Sequence, residues 1–238
     1  MPEIAAIKGI LFDKDGTLVD FNRTWFEIIM ALARKASSGD ESLARTLVQQ
    51  GGYDWGVKRF ISGSVVAAGT VEDLVDLWHP ALSQTERRSR IAQYDRFAVE
   101  EGSGQAAPIE GLHATLQHLV DQGFVLGIAT NDSEAGARAT ATALGLDDLF
   151  TAIIGYDSVA RAKPYADQLH LFAAKTGLLP AQIAMVGDNP HDLEMAHAAG
   201  AGVAIGVLSG NSSREELAEL SDVILGSIAE LPALLMKA

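Results

Sequence analysis

The chain has 238 residues, 48% of them hydrophobic and 21% charged, a balance that excludes a disordered chain and suits one globular domain or a domain with an insertion. Its 18 Lys and Arg against 31 Asp and Glu leave a formal charge of −13, which repels nucleic-acid phosphates and anionic lipid where no long basic run exists. Cysteine is absent, which rules out disulfides, thiolate metal sites and a cysteine nucleophile and fits a reducing cytosol.

The first apolar run, IKGILF (7–12), is broken by Lys8 and leads directly into the acidic DKDGT, unlike a signal peptide; it predicts a strand. Residues 21–105 lose that character. Apolar residues recur there at spacings of three and four, as in Trp25, Phe26, Ile29 and Leu32, or Leu74, Leu77 and Trp78, which predicts a helical insertion. Within it GGYDWGVKRF (51–60) reads either as an interhelical loop with solvated charges or as a loop whose Lys58 and Arg59 present cations to a ligand. A Gly/Ser/Ala stretch, EEGSGQAAP (100–108), leads back to strand-like runs: FVLGIAT (124–130), TAIIGY (151–156), IAMVGD (183–188), GVAIGV (202–207) and DVIL (222–225). Helix-sized segments lie between them at 133–144, 164–175 and 190–199, the last two opening on a proline at a plausible first helical position. Such alternation predicts an α/β fold with a central parallel sheet and helices on both faces. The uncharged stretch 195–213 is interrupted by glycines and does not read as a membrane helix.

In an open parallel sheet, ligands bind beyond the carboxyl ends of the strands, and Asp13 and Asp15 stand at that edge. Residues two apart in extended chain face one side, while Gly16 permits a tight turn and Thr17 can hold it by a hydrogen bond. Two carboxylates so close repel each other unless a cation lies between them or one is protonated. Asp188 ends another strand, and Asp192 falls in the first turn of the next helix, so further carboxylates reach the same edge. Hard oxygen donors in small number suit Mg²⁺. Thr130 and Asn131 end a third strand with a hydroxyl and an amide able to hold phosphoryl oxygens, and Lys163 precedes an expected helix start, where ammonium and helix dipole both favour an anion. Five of these residues have a second reading: Asp13 and Asp15 as a solvated strand-end turn, Asp192 as a partner of the helix dipole alone, Asn131 as a helix cap, Lys163 as a surface lysine. His191 reads as a surface residue or as a group on the substrate side.

DKDGT, the strand-terminal Thr130, Lys163 and GDNPHD resemble, in order and spacing, the four motifs of the haloacid dehalogenase-like phosphohydrolases. The resemblance implies a Rossmann-like three-layer core from residues 1–20 and 106–238, with 21–105 as a helical cap of the kind found in the phosphoglycolate phosphatase branch. It implies that Asp13 attacks phosphorus to form an aspartyl phosphate, that Asp15 acts as general acid and then base, and that Thr130 and Lys163 stabilise the transferring group. Mg²⁺ would be held by Asp13, the Asp15 main-chain carbonyl and Asp188, with Asp192 as a direct or water-mediated partner. The expected activity is Mg²⁺-dependent hydrolysis of small phosphate monoesters, phosphoglycolate among them, by a cytoplasmic monomer or homodimer without nucleic-acid or membrane partners. A phosphosugar mutase of the same superfamily and a non-catalytic phosphometabolite-binding protein are the alternatives. Lys14 departs from the apolar residue often found between the two aspartates and changes the local charge.

Overall fold

The computed structural model describes residues 4–102 and 106–235; residues 1–3, 103–105 and 236–238, which include the middle of the EEGSGQAAP stretch, lie outside the described residues. Six strands, β1 (Gly9–Phe12), β4 (Val125–Ala129), β5 (Ala152–Ile154), β6 (Ile183–Gly187), β7 (Val203–Val207) and β8 (Val223–Leu225), form one sheet in the order β5-β4-β1-β6-β7-β8. Every pairing in it is parallel. These strands are apolar almost throughout because both faces are covered, which removes the polar alternation of a half-exposed sheet.

Side chains alternate between two cores as a strand requires. Ile10, Phe12, Leu126, Ile128, Ala184 and Val186 pack on one face with helices α6 (Leu112–Asp121), α7 (Glu134–Ala143) and α11 (Leu231–Leu235). Leu11, Ala129, Ile183 and Met185 pack on the other with α8 (Asp167–Thr176), α9 (Pro190–Ala199) and α10 (Arg214–Ala218). The chain moves from β1 outward to β4 and β5, then returns to the other side of β1 with β6, so the carboxyl ends of β1, β4 and β6 flank the point where strand order reverses.

A third apolar cluster is made wholly of residues between Phe21 and Ala98. It comprises α1 (Phe21–Ala36), α2 (Glu41–Gln50), α3 (Val65–Ala68), α4 (Val71–Trp78) and α5 (Gln84–Gly102). The segments entering and leaving this unit run side by side: Asp20 N donates to Ala107 O at 2.8 Å, and Ile109 N to Leu18 O at 2.9 Å.

Two local expectations are corrected. GGYDWGVKRF is not a plain loop but a short antiparallel ribbon, β2 (Tyr53–Asp54) and β3 (Arg59–Phe60). Two-residue strands are too short to show alternation; the ribbon is held by the Asp54 carboxylate, which accepts from Gly56 N and Val57 N, and by Tyr53 and Phe60 packed 5.0 Å apart among Phe21, Phe26 and Trp55. Helix α8 begins at Asp167 rather than Pro164. Tyr165 N bonds back to Ala162 O, so the chain is still turning at the proline, and Lys163 does not stand beside helix-terminal amides.

Candidate active site

Strand β1 carries Asp13 to the sheet edge: its N–H donates to Val186 O at 2.8 Å, extending the ladder with β6 by one residue. The chain then turns sharply, with Gly16 N bonded to Val19 O and both Leu18 N and Val19 N bonded to Lys14 O. Gly16 has φ of +89°, and a Cβ there would stand 2.5 Å from an Asp188 carboxylate oxygen; the turn therefore requires glycine for both conformation and space. Gly210 has the same relation to Asp188, a Cβ at its position falling 1.8 Å from Oδ2.

Asp13, Asp188 and Asp192 are all buried, and each offers a carboxylate oxygen within 4.8 Å of the others. The Lys163 ammonium lies among them, 2.6 Å from Asp13 Oδ1 and 2.6 Å from Asp192 Oδ1, and also donates to Ala129 O. Two of the three carboxylates thus share one ammonium, while Asp188 accepts from Asn211 N at 2.9 Å. Burial pushes Asp13 up to about 7 against the pull of Lys163, with the charges of Asp192 and Asp15 adding to the rise. Asp188 is pushed well above the ordinary carboxylate range by burial and by the charges of Asp13 and Asp192. Burial opposes the Lys163 charge, but its two carboxylate partners overcome that and raise its affinity for the proton. An oxygen-only, net-negative cluster of this kind fits a divalent hard cation.

Asp192 serves two ends. Its Oδ2 accepts from Asn189 N in a capping box at the start of α9, while Oδ1 faces Lys163. Thr130 follows β4; its hydroxyl oxygen accepts from Asp132 N at 3.0 Å, leaving the hydroxyl proton to donate to a phosphoryl oxygen. Asn131 does not cap α7, a task taken by Ser133. Its amide donates to Ala68 O at 2.8 Å and Lys163 O at 3.2 Å, so it joins α3 to the lysine loop.

Asp15 differs from the other acids. Its carboxylate meets Trp25 Nε1 at 2.7 Å and Lys14 Nζ at 2.6 Å, and its side chain is no member of the cluster of three. Lys14, 2% exposed, also bonds Asp132 at 3.2 Å and lies 5.4 Å from the Trp25 ring centre. The charge introduced between the two aspartates is therefore matched inside the fold. Asp132 was visible in sequence only as a residue after Asn131, and Trp25 only as part of a helical stripe; neither carried a signal for its role.

Asp13, Asp15, Thr130, Asn131, Lys163, Asp188 and Asp192 all line one cleft, roofed by α1, α3 and α4. His191 lines it too, with Nδ1 3.3 Å from Ala68 O, so it is not a plain surface residue. Lys58 and Arg59 do not. Arg59 Nη2 instead donates to Asn211 O at 2.9 Å, while Asn211 N donates to Asp188 Oδ2 and its side chain accepts from Asn22. The ribbon thereby touches the carboxylate cluster through one backbone step rather than through substrate.

The model of the family described as haloacid dehalogenase-like hydrolase matches residues 7–200. A phosphoglycolate phosphatase of Yersinia pestis is 33% identical over 234 residues, covering 97% of this chain and 94% of its own, and one of Rhodospirillum rubrum is 30% identical over 221 residues, covering 90% and 84%. Among solved structures, a Bacteroides fragilis chain assigned to the haloacid dehalogenase-like hydrolases superposes with a TM-score of 0.75 at 22% identity, covering 94% of this chain and 99% of that one, and so shares its fold.

Proposed function

We propose, from the premise that this chain belongs to the haloacid dehalogenase-like hydrolases and is a phosphatase, that it hydrolyses small phosphate monoesters with Mg²⁺ through an aspartyl phosphate on Asp13. One observation carries this reading: a buried carboxylate at the end of β1 is held by Lys163 and grouped with Asp188 and Asp192, beside the hydroxyl of Thr130. Asp13, Asp188 and Asp192, with the Asp15 main-chain carbonyl, would hold the cation, which supplies charge neutralisation at the phosphoryl oxygens.

Asp13 attacks phosphorus as the bond to the leaving oxygen breaks, and Asp15 protonates that oxygen. Water then attacks the aspartyl phosphate, giving a proton to Asp15 and releasing phosphate and free Asp13. Lys163 and Thr130 stabilise the charge spread over the phosphoryl oxygens. Trp25 and Lys14 orient Asp15 through their contacts with its carboxylate. Residues 21–105 act on this reading as a cap over a core of 1–20 and 106–238, excluding water from the transfer step. The names of the relatives make phosphoglycolate the first substrate to assay; the reading carries with it a cytoplasmic enzyme.

Phosphate release from a panel of monoesters is expected with Mg²⁺ and to vanish when the metal is stripped, because the carboxylates alone repel phosphate. Undiminished turnover in excess EDTA, with metal removal verified, would exclude the mechanism. A second outcome concerns stability. Between the ordinary value of 3.8 and about 7, folded Asp13 keeps a proton that the unfolded chain has lost, so metal-free stability falls as pH rises through that window. Mg²⁺ takes the place of the protons, and its stabilising effect grows over the same range. The rise in Tm on adding Mg²⁺ should therefore be larger at pH 8 than at pH 5; equal shifts would argue against these carboxylates as the metal site.

A further inference from the structure

The cleft has two unlike halves. The core side presents the carboxylates, Lys163 and Thr130, while the helical side presents Phe21, Trp25, Ile29, Val66, Val71 and Leu74. Two polar side chains of that second half are already engaged: Trp25 Nε1 donates to Asp15, and the Thr70 hydroxyl belongs to the capping box with Asp73 at the start of α4. Lys163 is the sole Lys or Arg among the lining residues, and its ammonium is held at the phosphoryl end by Asp13, Asp192 and Ala129 O. His191 is the other lining group able to carry positive charge, and it rests against Ala68 O at the edge of the core half.

The phosphoryl group must sit with the core residues for Asp13 to reach it, so the alcohol portion of the ester extends toward the helical half. An alkyl or aryl group there leaves water for apolar surface, which is favourable. A carboxylate or second phosphate there would lose its hydration with no Lys or Arg side chain on that side to meet it. Lys58 and Arg59 are outside the cleft, and Arg59 is occupied by Asn211 O.

We infer that the substrate is a phosphate monoester of an uncharged, largely apolar alcohol, seated against Trp25, Val66, Val71 and Leu74, and that a second anionic group is selected against. This rests on the phosphatase reading and narrows its substrate class. It sets this cleft apart from what the names of the relatives would suggest.

Isobutyl phosphate and phosphoglycolate test it directly, since the two esters share a branched skeleton and differ in having two methyls or two carboxylate oxygens at its end. Measured by phosphate release in Mg²⁺, kcat/KM for isobutyl phosphate is expected to exceed that for phosphoglycolate at least 10-fold. Equal values, or a preference for phosphoglycolate, would overturn the inference. Val66, half-buried on α3, offers a second arm: Val66→Arg, with folding checked by thermal melting, should move the ratio at least 10-fold toward phosphoglycolate, and a folded variant with an unmoved ratio would count against the assigned seat. Para-nitrophenyl phosphate separates the two levels. No phosphate from any of the three esters defeats the phosphatase reading and the inference with it, whereas release from the nitrophenyl ester with no advantage for isobutyl phosphate defeats the inference alone.

Discussion

Asp13→Asn is expected to lower phosphate release by on the order of 10³-fold or more, equivalent to about 4 kcal/mol of barrier or above, because an amide oxygen is a poor nucleophile toward phosphorus. The fold should not suffer. The amide oxygen can still accept from Lys163, and the substitution removes one negative charge from a buried group whose carboxyl is pushed up to about 7. Metal-free Asp13→Asn should therefore melt no lower than the wild type at pH 8, which separates loss of chemistry from loss of folded protein. Asp15→Asn gives the contrast: the nucleophile remains while protonation and water activation are impaired, so a good leaving group should allow labelled phosphoryl to accumulate on Asp13. Label recovered on any residue other than Asp13 would remove it from the nucleophile's role.

Lys163→Met should have the opposite pattern, damaging both activity and stability. Its ammonium is the shared partner of Asp13 and Asp192, and an apolar replacement leaves buried carboxylates without that counter-charge. Removing one member of a buried ion pair costs about 3–5 kcal/mol, so the metal-free variant should show a clear fall in Tm at pH 8. The fall should be smaller at pH 5, where carboxyls with raised proton affinity become neutral, and Mg²⁺ should recover part of it by supplying positive charge. Turnover should fall by on the order of 10³-fold, since the same ammonium stabilises the transferring phosphoryl group. A variant that keeps wild-type Tm at both pH values would show that Lys163 does not balance the cluster.

The two variants together probe an arrangement that is only partly visible along the chain. Asp13 and Asp188 could be placed because each ends an apolar run long enough to be a buried strand, and a parallel sheet brings such ends to one edge. Asp192 could be placed because Pro190 starts α9 and leaves the aspartate in its first turn. Lys163 could be placed only by its motif. The helix that was expected to follow it directly begins at Asp167, and what holds the ammonium is a pair of carboxylates 150 and 29 residues away in sequence.

Other features left little trace. Lys14 read as a disturbance between two aspartates, yet it is a buried cation shared by Asp15 and Asp132, a pairing set by where β4 ends relative to β1. Lys58 and Arg59 read as candidate substrate cations because adjacent basic residues in a glycine-rich segment are what a ligand loop would carry. Packing of Tyr53 and Phe60 into the aromatic cluster instead turns that segment into a ribbon whose arginine meets Asn211.

By itself, then, the sequence determined the sheet and its flanking helices, the helical character of the insertion after the first strand, and which strand ends carry acids, because these follow from period, apolar run length and turn chemistry within a few residues of one another. Tertiary structure alone decided which charges meet, which cations stay outside the cleft, and that its helical half is apolar. Those properties depend on side chains brought together from distant parts of the chain, and the energy of a charge is governed by its depth of burial and its nearest partners, neither of which is a local property of sequence.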